Sequence, residues 1–523
     1  MELRERLRTI STSTWMWVMT LGFVLLALFL FRDYGITWDE TVEHFVYRKG
    51  ERTFTFWFGG FDPVDALFET GHNPFTFFAY YTLHHGLDAF GLAPEIHESY
   101  HLFTVLIAAL GFVLVYRLAG RFMPDAWALA AVLFLLLSPR YFGNCFTNFK
   151  DIPFAVCWVF CIQTLLRATR EPTTSKMLLH GVGLGLLMTV RIGGLMFVPI
   201  SLLGLFLGAR ASSTAQWRAR ILGFSAAMAV AMAIHYLSYP YVLLHPIDGF
   251  WELLTFQSQF PWPGDTLTLG QAIRSDAVPM WYVPIWLLVS TPEVLLVGWL
   301  IALFFGATRG RLPGLDARIV LFALLFPLAY VILTAAPIYD GLRHILFLFP
   351  LWVIIAFWGF YQLHTKLRWR RAVPSVLAVT AIWLAIQIAQ LHPYQTVYFN
   401  QLVGGSAGAQ GKFTLDYWAN TSKESALWLK DEIGPVGRLC VTAELSPSWE
   451  VYLPTWVVAD TLSIKDCPSW SQYAYAFARN DWLDLATEYA DAHPTLWVPI
   501  HHIERSGARL GTVFKNLQPT QGP

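Results

Sequence analysis

Trp15-Met-Trp-Val-Met-Thr-Leu-Gly-Phe-Val-Leu-Leu-Ala-Leu-Phe-Leu-Phe31 runs straight into Arg32-Asp33-Tyr34-Gly35-Ile36-Thr37-Trp38-Asp39-Glu40. The first part holds no charge and is close to the length that crosses the hydrocarbon of a bilayer, about 20 residues. The second part ends in two adjacent carboxylates a few residues beyond the apolar run. Acids at the mouth of a membrane span are costly to keep near hydrocarbon, so they are usually held there by a task or a partner. Here they open a long, aromatic-rich loop that continues to about Glu98.

The composition agrees with a membrane protein. The 523 residues are 55% hydrophobic and 14% charged, with a mean hydropathy of +0.46, whereas soluble domains are about a quarter charged. Twenty-three Trp and forty Phe suit interfacial belts and amphipathic segments in the headgroup region. The formal net charge of zero gives no sign of a nucleic-acid partner. The N-terminus is basic, and no small-residue cleavage site follows the apolar run, so this run reads as an uncleaved anchor. The five cysteines show no metal spacing. Cys145, Cys157 and Cys161 lie in or near spans, and Cys440 and Cys467 lie in the polar tail, where a disulfide is open to them if the tail faces outside.

Further apolar runs fall at 99–116, 125–138, 152–166, 177–190, 193–208, 221–243, 281–305, 319–335, 343–361 and 372–391, giving about eleven transmembrane helices. One side of the membrane collects Arg4, Arg6 and Arg8, Arg117 and Arg121, Arg167, Arg170 and Lys176, Arg210, Arg218 and Arg220, Arg309, Arg311 and Arg318, and Lys366 to Arg371. The other side has only Arg140 and Lys150, Arg191, Arg274 and Arg343 in its short loops. The positive-inside rule then makes the N-terminus cytoplasmic. An odd span count puts everything after His392 outside. Thr291-Pro292-Glu293 interrupts the eighth run. It reads as a helix start, with Thr as cap, Pro first and an acid in the first turn, so 279–290 is open to lying along the outer interface.

In the outer loop 33–98, residues 39–52 set Val42, Phe45, Val46 and Lys49 at helical spacing, and the run Pro74 to Leu83 is too short to cross. Both read as outer juxtamembrane helices. The tail 392–523 reverts to soluble composition. Strand-like runs at Arg438–Thr442 and Leu496–Ile500 alternate with helical stretches near 422–432 and 479–492, which predicts a small C-terminal α/β domain. The expected architecture is thus a polytopic α-helical membrane domain, 1–391, followed by an extracytoplasmic α/β domain, 392–523.

Asp39, Glu40, His72, Lys150, Asp151, Arg191, Asp340, Arg343 and His344 all fall at outer mouths of different spans. Each has a plain alternative: Asp39 and Glu40 as a helix cap, Lys150-Asp151 as a self-satisfied pair before Pro153, Arg191 as a snorkelling anchor, Arg343-His344 as interfacial anchors. Their convergence on one side is what points to chemistry. His97 and His101 are four apart, as metal ligands could be, with His84-His85 nearby, but no third ligand stands at a readable spacing.

An Asp-Glu pair after the first span, followed by His72-Asn-Pro74, resembles the type C glycosyltransferases. Within them it is most similar to glycosyltransferase family 39, the protein O-mannosyltransferases and lipid A aminoarabinose transferases. Asn148-Phe-Lys-Asp-Ile-Pro153 resembles the second acidic site of that family. Phe260–Gly264, Tyr339–His344, His392–Asn400, Leu402–Gly405 and Asp416–Trp418 resemble stretches of bacterial members. The chain departs from the family in having His-Asn-Pro for His-Pro-Pro and in lacking the mannosyltransferases' β-trefoil insertion.

The resemblance implies a polyprenyl-phosphate-linked sugar as donor and a lipid, glycan or protein hydroxyl as acceptor, at the outer face of a cell inner membrane. A phosphate leaving group needs cations rather than an acid, and the attacking hydroxyl needs one carboxylate base. Asp39 is the expected base, with Glu40 and Asp151 assisting. Arg343, Lys150, Arg191 and His344 are expected at the donor phosphate, and His72 and Asp340 at the substrate. No cofactor is expected, and a divalent metal stays open. A transporter or lipid flippase, favoured by Glu293 and His235, and a non-catalytic envelope assembly subunit are the alternative readings.

Overall fold

The computed structural model describes residues 11–42, 57, 74–209, 213–258, 264–308, 314–369, 371–442 and 446–521. Among these, seven helices are long and apolar enough to cross a membrane, or up to nine when each of two bent pairs is one span. The seven are Thr12–Leu30, Ile96–Ala119, Asp151–Arg170, Thr214–Ser238, Leu315–Leu333, Arg343–Lys366 and Ala372–Leu391. Two shorter apolar helices, Thr174–Val190 and Ile192–Gly208, sit where the fifth and sixth runs were expected. The expected count of eleven therefore includes these two short helices and the two bent pairs. The chain is a multi-pass membrane protein with a small C-terminal sheet domain.

Both bends have a local cause. Asp125–Leu136 and Pro139–Thr147 meet at 68°, where Pro139 takes the first position of the second helix and cannot continue the ladder of the first. Tyr282–Ser290 and Glu293–Thr308 meet at 116° across Thr291-Pro292. A break of this kind strands backbone carbonyls that lipid cannot satisfy. Asn400 supplies the missing donors: its Nδ2 donates to the carbonyls of Leu288 at 2.6 Å and Thr291 at 2.8 Å, and its backbone N–H donates to Val289 at 2.9 Å. Glu293 Oε1 in turn accepts from the backbone N–H of Gln401 at 2.5 Å. Glu293 thus stands at a bend beside the tail rather than inside a straight span. Among the described residues Thr291 Oγ1 has no hydrogen-bond partner, so the expected threonine cap does not form.

Close packing between spans uses small residues, as expected where lipid offers no hydrophobic drive. A Cβ on Gly359 would stand 2.4 Å from the Gly298 carbonyl oxygen and 2.7 Å from Ala302 N, and one on Gly181 would stand 2.4 Å from the Ala227 oxygen. Of the expected outer helices, Pro74–Asp88 forms and packs Phe77 and Tyr80 on Tyr100 and Phe149. Trp38–Val42 is the described part of the other; Phe45, Val46 and Lys49 lie outside the described residues.

The C-terminal sheet has five strands, β3 Arg438–Thr442, β4 Val457–Thr461, β5 Tyr473–Phe477, β6 Trp497–Arg505 and β7 Ala508–Asn516, in the order β4-β3-β5-β7-β6. The first three pair in parallel, and β7 runs antiparallel to β5 and β6. Helices Ser422–Glu432 and Trp482–Ala492 accompany it. Cys440 and Cys467 form a disulfide. A small hairpin, β1 Asp265–Thr268 with β2 Gln271–Arg274, was not expected from the sequence. The buried core runs without a gap from the spans through Tyr394, Val397, Tyr398, Phe399, Phe413 and Leu415 to Leu510 and Phe514.

Gly359→Leu is expected to lower the melting temperature of the detergent-purified protein, since overpacking against rigid backbone costs about 1–3 kcal/mol or more. Gly22→Leu, where a Cβ meets nothing within 4 Å, is the control and should leave it unchanged.

Candidate active site

Asp39 is the second residue of the short helix Trp38–Val42. Its Oδ2 receives Arg343 Nη2 at 2.9 Å and has Lys150 Nζ at 3.7 Å. Three remote segments meet here: the first outer loop, the head of Asp151–Arg170 and the head of Arg343–Lys366. Burial raises the cost of ionising Asp39. Arg343, then Lys150, Arg191 and Arg479, outweigh that cost and hold the carboxyl below the usual carboxylate range. A depressed folded pKa means that its contribution to stability is complete above the unfolded value, about 3.9, and fades as pH falls through the folded one.

Asp151 is buried at 2% exposure. Its Oδ1 pairs with Arg191 Nη2 at 2.8 Å and its Oδ2 lies 3.9 Å from Arg343 Nε. Asn148 fixes it from both ends: Oδ1 accepts from the Asp151 backbone N–H at 2.8 Å, and Nδ2 donates to Asp151 Oδ2 at 2.9 Å. Asn148 thereby satisfies the first N–H of the helix that begins at Asp151. Asp340 Oδ2 accepts from Arg343 Nη1 at 3.2 Å, and its Oδ1 pairs with Arg479 Nη2 at 3.1 Å. Aromatic rings wall the cations: Tyr339 and Trp418 are each 5.3 Å from the Arg343 guanidinium carbon, and Phe149 is 5.2 Å from Lys150 Nζ.

Of the expected residues, the structure gathers Asp39, Lys150, Asp151, Arg191, Asp340 and Arg343. Glu40 is placed apart. Its Oε2 accepts from the Thr37 N–H at 2.6 Å while its own N–H donates to Thr37 Oγ1 at 3.3 Å, a reciprocal cap. Its Oε1 faces buried His101 Nε2 at 3.0 Å. The cap reading therefore applies to Glu40, and the neighbouring Asp39 turns the other way because adjacent helical residues face different directions. His344 sets its ring edge-on to Tyr339 at 4.6 Å and joins no ion pair among the described residues. His72 lies outside the described residues. His101, half of the spacing that could suit a metal, is committed to Glu40 and to the Phe31 carbonyl at 3.1 Å. Among the described residues, no group of three or more His, Cys, Asp or Glu could hold a metal ion.

The sequence reading missed Arg479. It comes from the tail, buried to 3%, between the rings of Trp38 at 4.7 Å and Trp482 at 5.8 Å. No spacing connects it to the membrane mouths, so only its folded position could find it. Arg140 was read as a loop charge alone. Its Nε donates to the Tyr398 carbonyl at 2.6 Å, and it lines, with Arg343, Asn144, Leu342, Leu346 and Tyr417, a small cleft. A shallow, mostly apolar cleft shares Leu342, Leu346 and Phe349 with it.

Residues 90–240 match the family model described as dolichyl-phosphate-mannose-protein mannosyltransferase. Among solved structures, the chain is similar to ArnT from Cupriavidus metallidurans at 15% identity, with a TM-score of 0.51 over 96% of this chain and 98% of that one. It is also similar to the Archaeoglobus fulgidus oligosaccharyltransferase, at 13% identity and a TM-score of 0.41, over 80% of this chain and 62% of that one. The arabinofuranosyltransferase AftD from Mycobacteria matches at 15% identity and a TM-score of 0.37, over 84% and 36%. No curated protein matches the sequence. The likeness to ArnT over nearly the whole of both chains shows a common fold.

Glu40→Ala removes the cap on Thr37 and the partner of a buried imidazole. It should lower the unfolding free energy by about 1–3 kcal/mol, read as a lower melting temperature. An unchanged melting temperature would mean that the Glu40–His101 contact contributes nothing.

Proposed function

Taking the chain as a relative of the type C glycosyltransferases, we propose that it is a membrane glycosyltransferase using a polyprenyl-phosphate-linked sugar. The acceptor is a hydroxyl on a lipid, glycan or protein at the outer face of a cell inner membrane. One observation carries this reading: the Asp39 carboxylate lies on Arg343 and Lys150, so a base and the cations for a leaving phosphate share one site. Around it four cations, Lys150, Arg191, Arg343 and Arg479, face three carboxylates, Asp39, Asp151 and Asp340. The excess positive charge suits a singly charged phosphodiester.

In the resting site Asp39 is a weak base, because its negative charge is already spent on cations. A donor phosphate that engages the Arg343 fork and Lys150 draws them off Asp39, and the carboxylate recovers basicity as its stabilising charges leave. The acceptor proton then passes to Asp39, and the acceptor oxygen bonds to the anomeric carbon. The bond from that carbon to the phosphate oxygen breaks, with its electron pair left on the phosphate. Arg343 and Lys150 stabilise that developing charge. Asp151 and Asn148 keep Arg191 and the head of the helix in place. A single attack of this kind inverts the anomeric centre.

Asp39→Asn keeps the shape but removes the basicity, so turnover should fall about 10²–10⁴-fold, while donor affinity should not fall, because the phosphate no longer competes with a carboxylate for Arg343 and Lys150. Arg343→Ala should weaken donor binding as well as turnover. Wild-type turnover in Asp39→Asn would take Asp39 out of the mechanism. For the orientation, a reporter fused after His392 should read as external and one within 366–371 as cytoplasmic; both on one side would overturn the span count.

A further inference from the structure

We propose that Arg479 is a positioning residue through which the C-terminal sheet domain completes the phosphate site: it fixes Asp340, and Asp340 fixes the Arg343 guanidinium. This inference rests on the function proposed above and adds a residue and a domain to it. The chain of contacts is continuous. Arg479 Nη2 meets Asp340 Oδ1 at 3.1 Å, Asp340 Oδ2 meets Arg343 Nη1 at 3.2 Å, and Arg343 Nη2 meets Asp39 Oδ2 at 2.9 Å. The three inner side chains are almost fully buried, at 3%, 3% and 6% exposure. A buried carboxylate between two guanidiniums accepts from both, and losing either removes one of its two charge-assisted partners in a poorly solvated place.

Two further features show that the backbone is built to hold these ends. Asp340 adopts a left-handed φ of 56°, followed by Gly341 at 72°. A Cβ on Gly341 would stand 2.9 Å from the Trp286 ring, so the turn that aims Asp340 is both strained and packed in place. Asn480, next to Arg479, has a φ of 51°. Its side chain ties the outer hairpin, accepting from the Leu267 N–H at 3.1 Å and donating to the Asp265 carbonyl at 2.8 Å. Meanwhile Arg479 Nη1 donates to the Tyr417 carbonyl. Arg479 is thus held by the tail at its base and by Trp38 and Trp482 beside its guanidinium, and that guanidinium sets Asp340. Without it, Asp340 keeps one cation, and the Arg343 fork loses the rigid acceptor that turns Nη2 and Nε toward Asp39 and Asp151.

The test uses the full-length protein in detergent with a C55 polyprenyl phosphate as probe, read by quenching of intrinsic tryptophan fluorescence, alongside melting temperature. Arg479→Gln and Asp340→Asn should each weaken binding about tenfold. The double variant should bind no more weakly than Asp340→Asn alone, because both act on Arg343 through one contact. Arg479→Lys keeps the charge but lacks the fork that spans Asp340 and the Tyr417 carbonyl, so it should also weaken binding at a near wild-type melting temperature. That variant decides the matter if Arg479→Gln does not fold. Wild-type affinity in Arg479→Lys, or losses that multiply in the double variant, would overturn the proposal, since a residue that only glues the domains would lower the melting temperature and leave affinity alone. Failure of the wild type to bind the probe would instead overturn the proposed function itself.

Discussion

The ion pair between Asp39 and Arg343 joins residues 304 apart in the chain, and the rest of the site is arranged around it. Arg343 is buried and Asp39 is half-buried, and an unpaired charge at the edge of hydrocarbon costs several kcal/mol. Each therefore constrains the segment that bears it. The short helix Trp38–Val42 must sit over the head of Arg343–Lys366, and Lys150 and Asp151 bring the head of Asp151–Arg170 to the same point. Charges that each could have been an anchor for its own loop become one network. Its opposing signs balance closely enough to survive burial, with a positive remainder for an anion.

The tail is part of this network rather than an appendage. Asn400 closes the open carbonyls at the break between Tyr282–Ser290 and Glu293–Thr308, so the membrane part depends on the tail for its own backbone hydrogen bonds. Arg479 then returns from beyond β5 to reach Asp340. The core continues through Phe399 and Phe413 into the sheet. The division expected at residue 392 rests on the change in composition there, and one buried cluster runs across it. The contrast between Asp39 and Glu40 makes a similar point at short range. Two adjacent acids of the same type differ in role because one faces the cations and the other folds back on Thr37 and His101.

The sequence by itself determined the membrane character, because helices satisfy their own backbone hydrogen bonds in hydrocarbon and apolar runs of the right length can be read from hydropathy. Ala372–Leu391 and β3 Arg438–Thr442 formed where their patterns put them. The acids and cations of the outer mouths were legible as types, since charged residues there are rare. The strand β5 was not, because Tyr473-Ala-Tyr-Ala-Phe477 is buried on both faces and its alternation carries no polar signal. Which charges meet was decided only by tertiary structure, because ion pairing depends on distances of a few ångströms between segments hundreds of residues apart. Arg479 joins the site, and Glu40 leaves it, for that reason: hydropathy gives each residue a depth in the membrane, and only the packed helices give it a neighbour.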